Sequence, residues 1–306
     1  GGQPSGLEGW MFSIIGLVIV VASIVGGFAM AGGNLLSLFH LSEIVVIGGT
    51  ALGTFFIANP PGVVFGTLGK LPKLLAGGAS GKALYLDALK LMFELFQIAR
   101  RDGLVAIEGH IESPHKSELF GKYPAIAKNH HAVEFFCDSL RLVLVGSVPP
   151  YDLEALMDSE IEVHHEAEGR TVAALQRVSD ALPGIGIVAA VLGIVITMGA
   201  IAGPIEQIGE HVAAALTGTF FGVLLAYGFV GPLSTALEGV NTTEARFYQF
   251  LKAGVVAFAK GFSPIVSTEF ARRAVYAEDR PSFAEMEAAC KSVKGNAAAA
   301  AQAKAA

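Results

Sequence analysis

Charged residues are scarce in this sequence, and four long stretches contain none at all. Only 16% of the 306 residues are Asp, Glu, Lys or Arg, whereas 53% are hydrophobic and the mean hydropathy is +0.57. Ordinary soluble domains carry more charge and less apolar sequence. Together with the net charge of −6, this composition indicates an integral membrane protein with a sizeable aqueous part, and it gives no reason to expect nucleic-acid binding.

Cysteine is rare, and the common motifs of enzymes are missing. Cys137 and Cys290 are far apart, match no metal-binding spacing and are expected to be reduced thiols on a cytoplasmic face. The sequence contains no nucleophile elbow, Walker loop or zinc motif. The stretch "EIEVHHEAEGR" places His164 and His165 among glutamates, and we interpret it as a solvated acidic helix, with a metal site as the alternative. We therefore predict no enzyme, no resident metal and no cofactor.

Four uncharged stretches are long enough to cross a membrane as helices. They are residues 11–31, 44 to about 65, 181–202 and 212–237. The first would be about 31 Å long as a helix, which matches the hydrocarbon thickness of a bilayer. The sequence Asn59-Pro60-Pro61 is expected to end the second helix near Ala58, because proline disfavours the helical conformation of the residue before it.

Lysine and arginine are absent from the two short loops that join these spans. All 21 lie at positions 70–177 or 246–304. By the positive-inside rule, the middle region and the tail face the cytoplasm, and the short loops face the other side. The predicted fold class is an all-α integral membrane protein with four transmembrane helices, a helical cytoplasmic region between spans 2 and 3, and a helical cytoplasmic tail.

These spans divide the chain into five segments. Residues 1–10 are either an expression remnant or a short cytoplasmic N-terminus, 11–65 and 181–237 are transmembrane hairpins, 66–180 is a cytoplasmic helical region, and 238–306 is a cytoplasmic helical tail with a disordered end. Helical periodicity is clear at 83–100, while 152–180 runs into span three and 243–260 continues from span four.

Small residues recur every four positions within the spans. Gly218, Gly222 and Ala226 form such a series in span four, and spans two and three repeat it at Gly49 and Gly53 and at Gly186 and Ala190. This spacing lets helix backbones approach closely in lipid, so we predict a helix-packing face. Thr219 lies on the same side of span four. Its hydroxyl is expected either to bond back to its own helix or to line a wet path.

The uncharged spans contain no carboxylate, although a cation path through a membrane normally needs one. Either the protein conducts no ion, or a partner supplies the acid. Pro183 and Pro232 lie at about the same predicted membrane level, where spans three and four join their cytoplasmic extensions. Because proline removes a backbone hydrogen bond and kinks a helix, we predict paired hinges at these two residues.

Five stretches together identify a family. They are "VGGFAMAGG" near the start, "EALMDSEIEVHH" at 154–165, "DALPGIGIVAAVLG" at 180–193, "GTFFGVLLAYGFVGPL" at 218–233 and "RPSFAEME" at 280–287. They resemble the MotA family, the four-span stator subunits of the bacterial flagellar motor. The related TolQ and ExbB proteins have one span before their cytoplasmic region, so an ExbB/TolQ-like energiser of outer-membrane processes is the alternative. A membrane scaffold without ion flux is a further one.

The resemblance implies a function and a set of partners. Five copies of the chain are expected around two MotB subunits, whose intramembrane aspartate supplies the missing carboxylate. Ion flow through this complex would drive the region 66–180 against the rotor protein FliG and generate torque. The resemblance places the complex in the bacterial inner membrane, in contact with lipid, with both termini of the chain in the cytoplasm.

The resemblance also implies roles for individual residues. Arg100 and Glu108, in "ARRDGLVAIEGHIESP", match the charged positions that contact the rotor, and the adjacent Arg101 and Asp102 could share this work. Thr219 and Ala190 match positions of the ion path. Sodium-type relatives carry a threonine at the position of Ala190, so the ion is expected to be H⁺ rather than Na⁺.

Overall fold

The structure, a computed structural model, describes residues 6–76 and 81–293. Throughout these residues the regular structure is helical, and they contain no strand. They form two compact units. The span unit comprises residues 8–76 and 167–241, and the head unit comprises residues 81–166 and 242–293.

The described helices follow one another with short connections. In chain order they are α1 (Gly6–Met30), a 3₁₀ turn (Leu35–Leu38), α2 (Leu41–Ala58), α3 (Pro61–Ala76), α4 (Lys82–Asp102), a 3₁₀ turn (Leu104–Ile107), α5 (Glu108–Glu112), a 3₁₀ turn (Pro114–Lys116), α6 (Glu118–Gly121), α7 (Pro124–Ala127), α8 (His130–Val145), α9 (Pro150–Gly199), α10 (Ile205–Leu224), a π-helical segment (Leu225–Val230), α11 (Gly231–Ala259) and α12 (Pro264–Arg273). Residues 283–293 are also helical.

Four of these helical stretches are long and apolar enough to cross a membrane, as predicted. They are Met11–Met30, Leu35–Ala58, Pro150–Gly199 and Ile205–Ala259. The last two extend well beyond the lipid thickness, at 50 and 55 residues. The predicted continuation of 152–180 into span three and of span four into 243–260 is therefore confirmed.

Backbone geometry confirms the predicted end of α2 and shows how α4 ends. Asn59 is extended (φ −132°, ψ 142°), so α2 ends at Ala58 and α3 begins at Pro61. The Asn59 side chain donates to the Phe55 carbonyl oxygen at 2.8 Å and satisfies one of the last carbonyls of α2. Gly103 ends α4 with φ +94°, a value that favours glycine.

Helix α2 begins before the uncharged run that predicted span two, and this extension adds a carboxylate to the helix. α2 begins at Leu41, before the uncharged run, and it includes Glu43 in its first turn. Glu43 is only 5% exposed and lies within the span Leu35–Ala58. A carboxylate is favourable near the N-terminus of a helix, where the backbone N–H groups present partial positive charge. The helix can therefore start earlier than the hydropathy suggests.

The head unit has an aromatic core that joins α4, α8, α11 and the first turns of α9. Phe96 stacks on Phe258 with ring centroids 4.3 Å apart, and Tyr85 packs edge-on against Phe250 at 5.2 Å. Cys137 lies in this core as a buried free thiol, and burial raises its pKa to about 12. Such a thiol stays protonated and unreactive at neutral pH.

Candidate functional site

Helices α9 and α10 cross with their backbones in contact. A Cβ atom added at Gly222 would lie 2.7 Å from the Cα of Gly186 and 2.7 Å from the carbonyl oxygen of Leu182. One added at Gly186 would lie 2.9 Å from the carbonyl oxygen of Gly218. No real side chain fits at these distances, so glycine is required on both helices. We call this contact of Gly186 with Gly218 and Gly222 the glycine crossing.

The predicted ion-path residues lie beside the glycine crossing. A Cβ atom at Gly218 would lie 3.1 Å from the Ala189 side chain, so Ala190 and Thr219 each follow directly after a residue of this contact. Both side chains are partly exposed. Their roles in ion passage stay predictions.

The small-residue series of α2 does not pack against another helix in the described part of the chain. Cβ atoms at Gly49 and Gly53 would meet nothing within 4 Å among the described residues. This small-residue face of α2 is therefore open in the single chain.

A π-helical segment precedes Pro232, and the sequence reasoning missed it. Over Leu225–Val230 the helix widens, and the Gly231 N–H bonds to the Ala226 carbonyl oxygen, five residues back. That oxygen also accepts a hydrogen bond from the Ser179 hydroxyl of α9 at 3.0 Å. Proline lacks an N–H and its ring clashes with the carbonyl four residues earlier, so Pro232 at the second position of α11 is compatible with this wider turn.

Pro183 does not end its helix. α9 continues through it from Pro150 to Gly199, and Pro183 is partly buried one residue after Leu182, which touches the glycine crossing. The two prolines thus flank the same helix pair in the span unit. Whether they act as hinges stays a prediction.

The predicted rotor-contact residues lie on separate helices of the head unit. Arg100 is in the last turn of α4, and Glu108 is the first residue of α5; both are exposed. Arg100 makes a long contact of 3.5 Å to the Gly261 carbonyl oxygen. The neighbouring Arg101 and Asp102 pair with each other at 2.7 Å, and the hydrogen bond from Arg101 lowers the pKa of Asp102.

The histidine-rich acidic stretch forms part of α9 in the head unit. The His164 ring packs against Tyr248 with centroids 4.9 Å apart, and its Nε2 lies 3.9 Å from the Glu244 carboxylate. Among the described residues, no three His, Cys, Asp or Glu side chains are arranged to hold a metal ion.

A second polar cluster lies in the span unit, around Glu43. Its Oε2 atom would be 2.5 Å from a Cβ atom at Gly218, so the carboxyl group rests on the backbone of α10. His40 precedes Glu43 by one turn, and His211 lies on α10. Sequence reasoning missed this cluster, although a glutamate flanked by histidine in "HLSE" was its available signal.

Comparison with known proteins identifies the family. Residues 14–103 match the family model for the N-terminal region of motility protein A, and residues 127–249 match that of the MotA/TolQ/ExbB proton channel family. The chain is 37% identical over 284 residues to motility protein A of Escherichia coli, covering 93% of this chain and 96% of that protein. This chain belongs to the motility protein A family.

Solved structures agree with the motility protein A fold. The structure of C. jejuni MotAB superimposes with a TM-score of 0.73 at 22% identity, covering 89% of this chain and 98% of that one. The Bacillus subtilis flagellar MotAB stator complex gives 0.71 at 20% identity, covering 88% and 98%. This chain is thus a multi-pass membrane subunit of a stator ion channel and not an enzyme. The match to a motility-protein-specific N-terminal region disfavours the ExbB/TolQ alternative.

Proposed function

We propose that this chain forms an ion channel with MotB in the bacterial inner membrane and converts proton flow into torque on FliG. The observation that carries this proposal is the pair of long helices that cross at the glycine crossing. α9 and the α10–π–α11 run each contain a membrane-spanning part and residues of the head unit. A change in packing at the glycine crossing would therefore be transmitted along continuous helices.

Assembly with further copies and with MotB is part of the same proposal. None of the most apolar window of Met11–Met30 is buried against the described part of the chain, and the Gly49 and Gly53 face of α2 is open to it as well. Such surfaces favour lipid or another helix as their neighbour. We propose five copies around two MotB subunits, with the MotB aspartate facing the small-residue side of α10.

The proton is the proposed coupling ion because Ala190 offers no hydroxyl beside the glycine crossing. A dehydrated sodium ion needs several oxygen ligands, whereas a proton needs only a carboxylate and water. The decisive experiment measures swimming speed and torque while the proton and sodium gradients are varied separately. We expect torque to follow the proton gradient; torque that follows the sodium gradient alone would contradict the proposed ion.

The proposed orientation predicts the outcome of labelling single cysteines. Both native cysteines are buried, so they should give little background with a membrane-impermeant maleimide. Cysteines introduced at Asn34 and Gln207 are expected to react from the periplasm of intact cells, and one at Lys128 only after the membrane is opened. Labelling of Asn34 or Gln207 only from the cytoplasmic side would overturn the orientation.

The proposed rotor contact predicts the effect of charge reversal. A single exposed charge contributes little to binding, so replacing Arg100 or Glu108 alone by a neutral residue should reduce swimming only slightly. The double reversal Arg100→Glu with Glu108→Lys should reduce swimming several-fold without lowering the amount of protein in the membrane, and compensating reversals on FliG should restore part of the loss. Soft-agar motility and immunoblotting of membranes provide the two measurements.

A matched control is available in the same unit. Glu118 and Lys128 are also exposed, and the double reversal Glu118→Lys with Lys128→Glu changes the same number of charges. It should swim normally. Equal swimming of both double variants would remove Arg100 and Glu108 from the mechanism.

A further inference from the structure

Three polar atoms at one end of the span unit are buried without partners. They are Oε2 of Glu43, Nδ1 of His40 and Nδ1 of His211, none of which has a hydrogen-bond partner in the described part of the chain. Leaving a buried polar group unpaired costs free energy, and native structures contain few such groups. A set of three within one pair of packed elements therefore calls for a functional explanation.

The three groups lie along one path. His40 precedes the first turn of α2, one turn from Glu43, and the two groups interact electrostatically. The Glu43 carboxyl group rests on Gly218, where α10 has no side chain. His211 lies seven residues before Gly218, so it is on the same face of α10 and about 10 Å nearer the helix start. The path leads from the loop end of both helices to the glycine crossing.

Apart from the two histidines, the described residues of the elements near Glu43 offer no group that can balance its charge. Helix α10 packs against both α2 and the Leu35–Leu38 turn, and Gly218 of α10 lies against both Glu43 and the Ala189 side chain of α9. The turn and residues 181–199 of α9 contain no titratable side chain, and α10 adds only His211 and the exposed Glu206 and Glu210. There is no Lys or Arg in residues 1–69 or 178–245. A buried carboxylate in this setting gains most from taking up a proton.

We propose that Glu43, His40 and His211 form a proton-binding relay on this chain, on the side of the membrane opposite the basic residues. An imidazole Nδ1 takes a proton from a hydronium ion, which becomes water, and the imidazolium passes a proton to the Glu43 carboxylate. The neutral carboxyl group then releases its proton to a water molecule on the small-residue side of α10, which becomes hydronium. Each step makes one N–H or O–H bond and breaks another. The use of this proton for torque rests on the proposed function, whereas its binding at Glu43 does not.

Proton binding is tested on the full-length chain with MotB in lipid by infrared difference spectroscopy during a pH titration. The protonated carboxyl group has its own C=O stretching band. We expect a band that titrates with pH in the wild-type complex, disappears in Glu43→Gln and shifts in frequency in Glu43→Asp. In His40→Gln with His211→Gln its midpoint should move. If the Glu43→Gln complex keeps every C=O stretching band that titrates in wild type, the relay is wrong.

Proton flux into proteoliposomes, measured against outer pH at fixed voltage, tests the use of the relay. Glu43→Gln should reduce flux at least tenfold, Glu43→Asp should retain more of it, and the double histidine variant should flatten the dependence of flux on outer pH. The exposed control Glu210→Gln should match wild type. A Glu43-dependent band without any proton flux would refute the proposed function and leave the binding site standing. Wild-type flux and pH profile in assembled Glu43→Gln would refute the relay.

Discussion

Gly222→Leu is expected to abolish formation of the complex with MotB. The neighbours of an added Cβ at this position are the Cα of Gly186 and the carbonyl oxygen of Leu182, each at 2.7 Å. Both are backbone atoms, which cannot rotate aside as a side chain could. Inserting atoms into a packed interior costs about 1–3 kcal/mol even where side chains can adjust. Here the two helices would have to separate, with loss of the contacts along the whole glycine crossing.

The amount of chain in purified membranes and its yield after co-purification with tagged MotB give the measurement. Gly222→Ala should give an intermediate yield, because its Cβ already meets both backbone atoms. Gly209→Leu is the matched control, since it lies on the same helix and its added Cβ would meet nothing within 4 Å among the described residues. A normal yield of the MotB complex from Gly222→Leu would show that the glycine crossing is looser than the structure indicates.

The sequence was sufficient to predict the structural features that depend on residues close together in the chain. Hydropathy over about 20 residues located the four spans, and proline after Asn59 located the end of α2. In each case the cause and the effect lie within one or two helical turns.

The features that sequence could not give depend on contacts between distant residues. Glu43 looked like part of a loop because only the approach of α10, 175 residues later at Gly218, buries it. The π-helical segment also involves another helix, because the Ser179 hydroxyl of α9 and the Gly231 N–H both donate to the Ala226 carbonyl oxygen. The spacing of Gly49 and Gly53 is identical to that of Gly218 and Gly222, yet among the described residues only the second pair meets another helix.

The second large effect is expected from Pro232→Leu. Leucine supplies the N–H that proline lacks, and in α-helical geometry this group would bond to the Gly228 carbonyl oxygen, four residues back. The substitution also removes the proline ring, which disfavours an α-helical turn at this position. Loss of the ring favours a regular α-helix by up to about 3 kcal/mol. The π-helical segment would then compete with an α-helical one. A π turn contains one residue more than an α turn. Conversion to an α-helix would therefore rotate the helix that follows by about 100°.

Assembly and torque should respond differently to this change. The glycine crossing lies before the π-helical segment, so Pro232→Leu should still co-purify with MotB in normal amounts. If Pro232 acts as the predicted hinge, torque in a tethered-cell assay should fall at least tenfold, because the stiffened joint could no longer bend. Ser179→Ala removes only the hydrogen bond to the Ala226 carbonyl oxygen and should lose part of the torque.

Thr235→Leu is the matched control, because it places the same side chain at an exposed position one turn later without adding a backbone N–H. It should rotate at wild-type torque, which separates the backbone effect of proline from the effect of an added apolar side chain. If Pro232→Leu assembles and rotates like Thr235→Leu, bending at this joint is not part of torque generation. The π-helical segment would then be a packing solution for Ser179 and Ala226, and the coupling would have to pass through α9 alone.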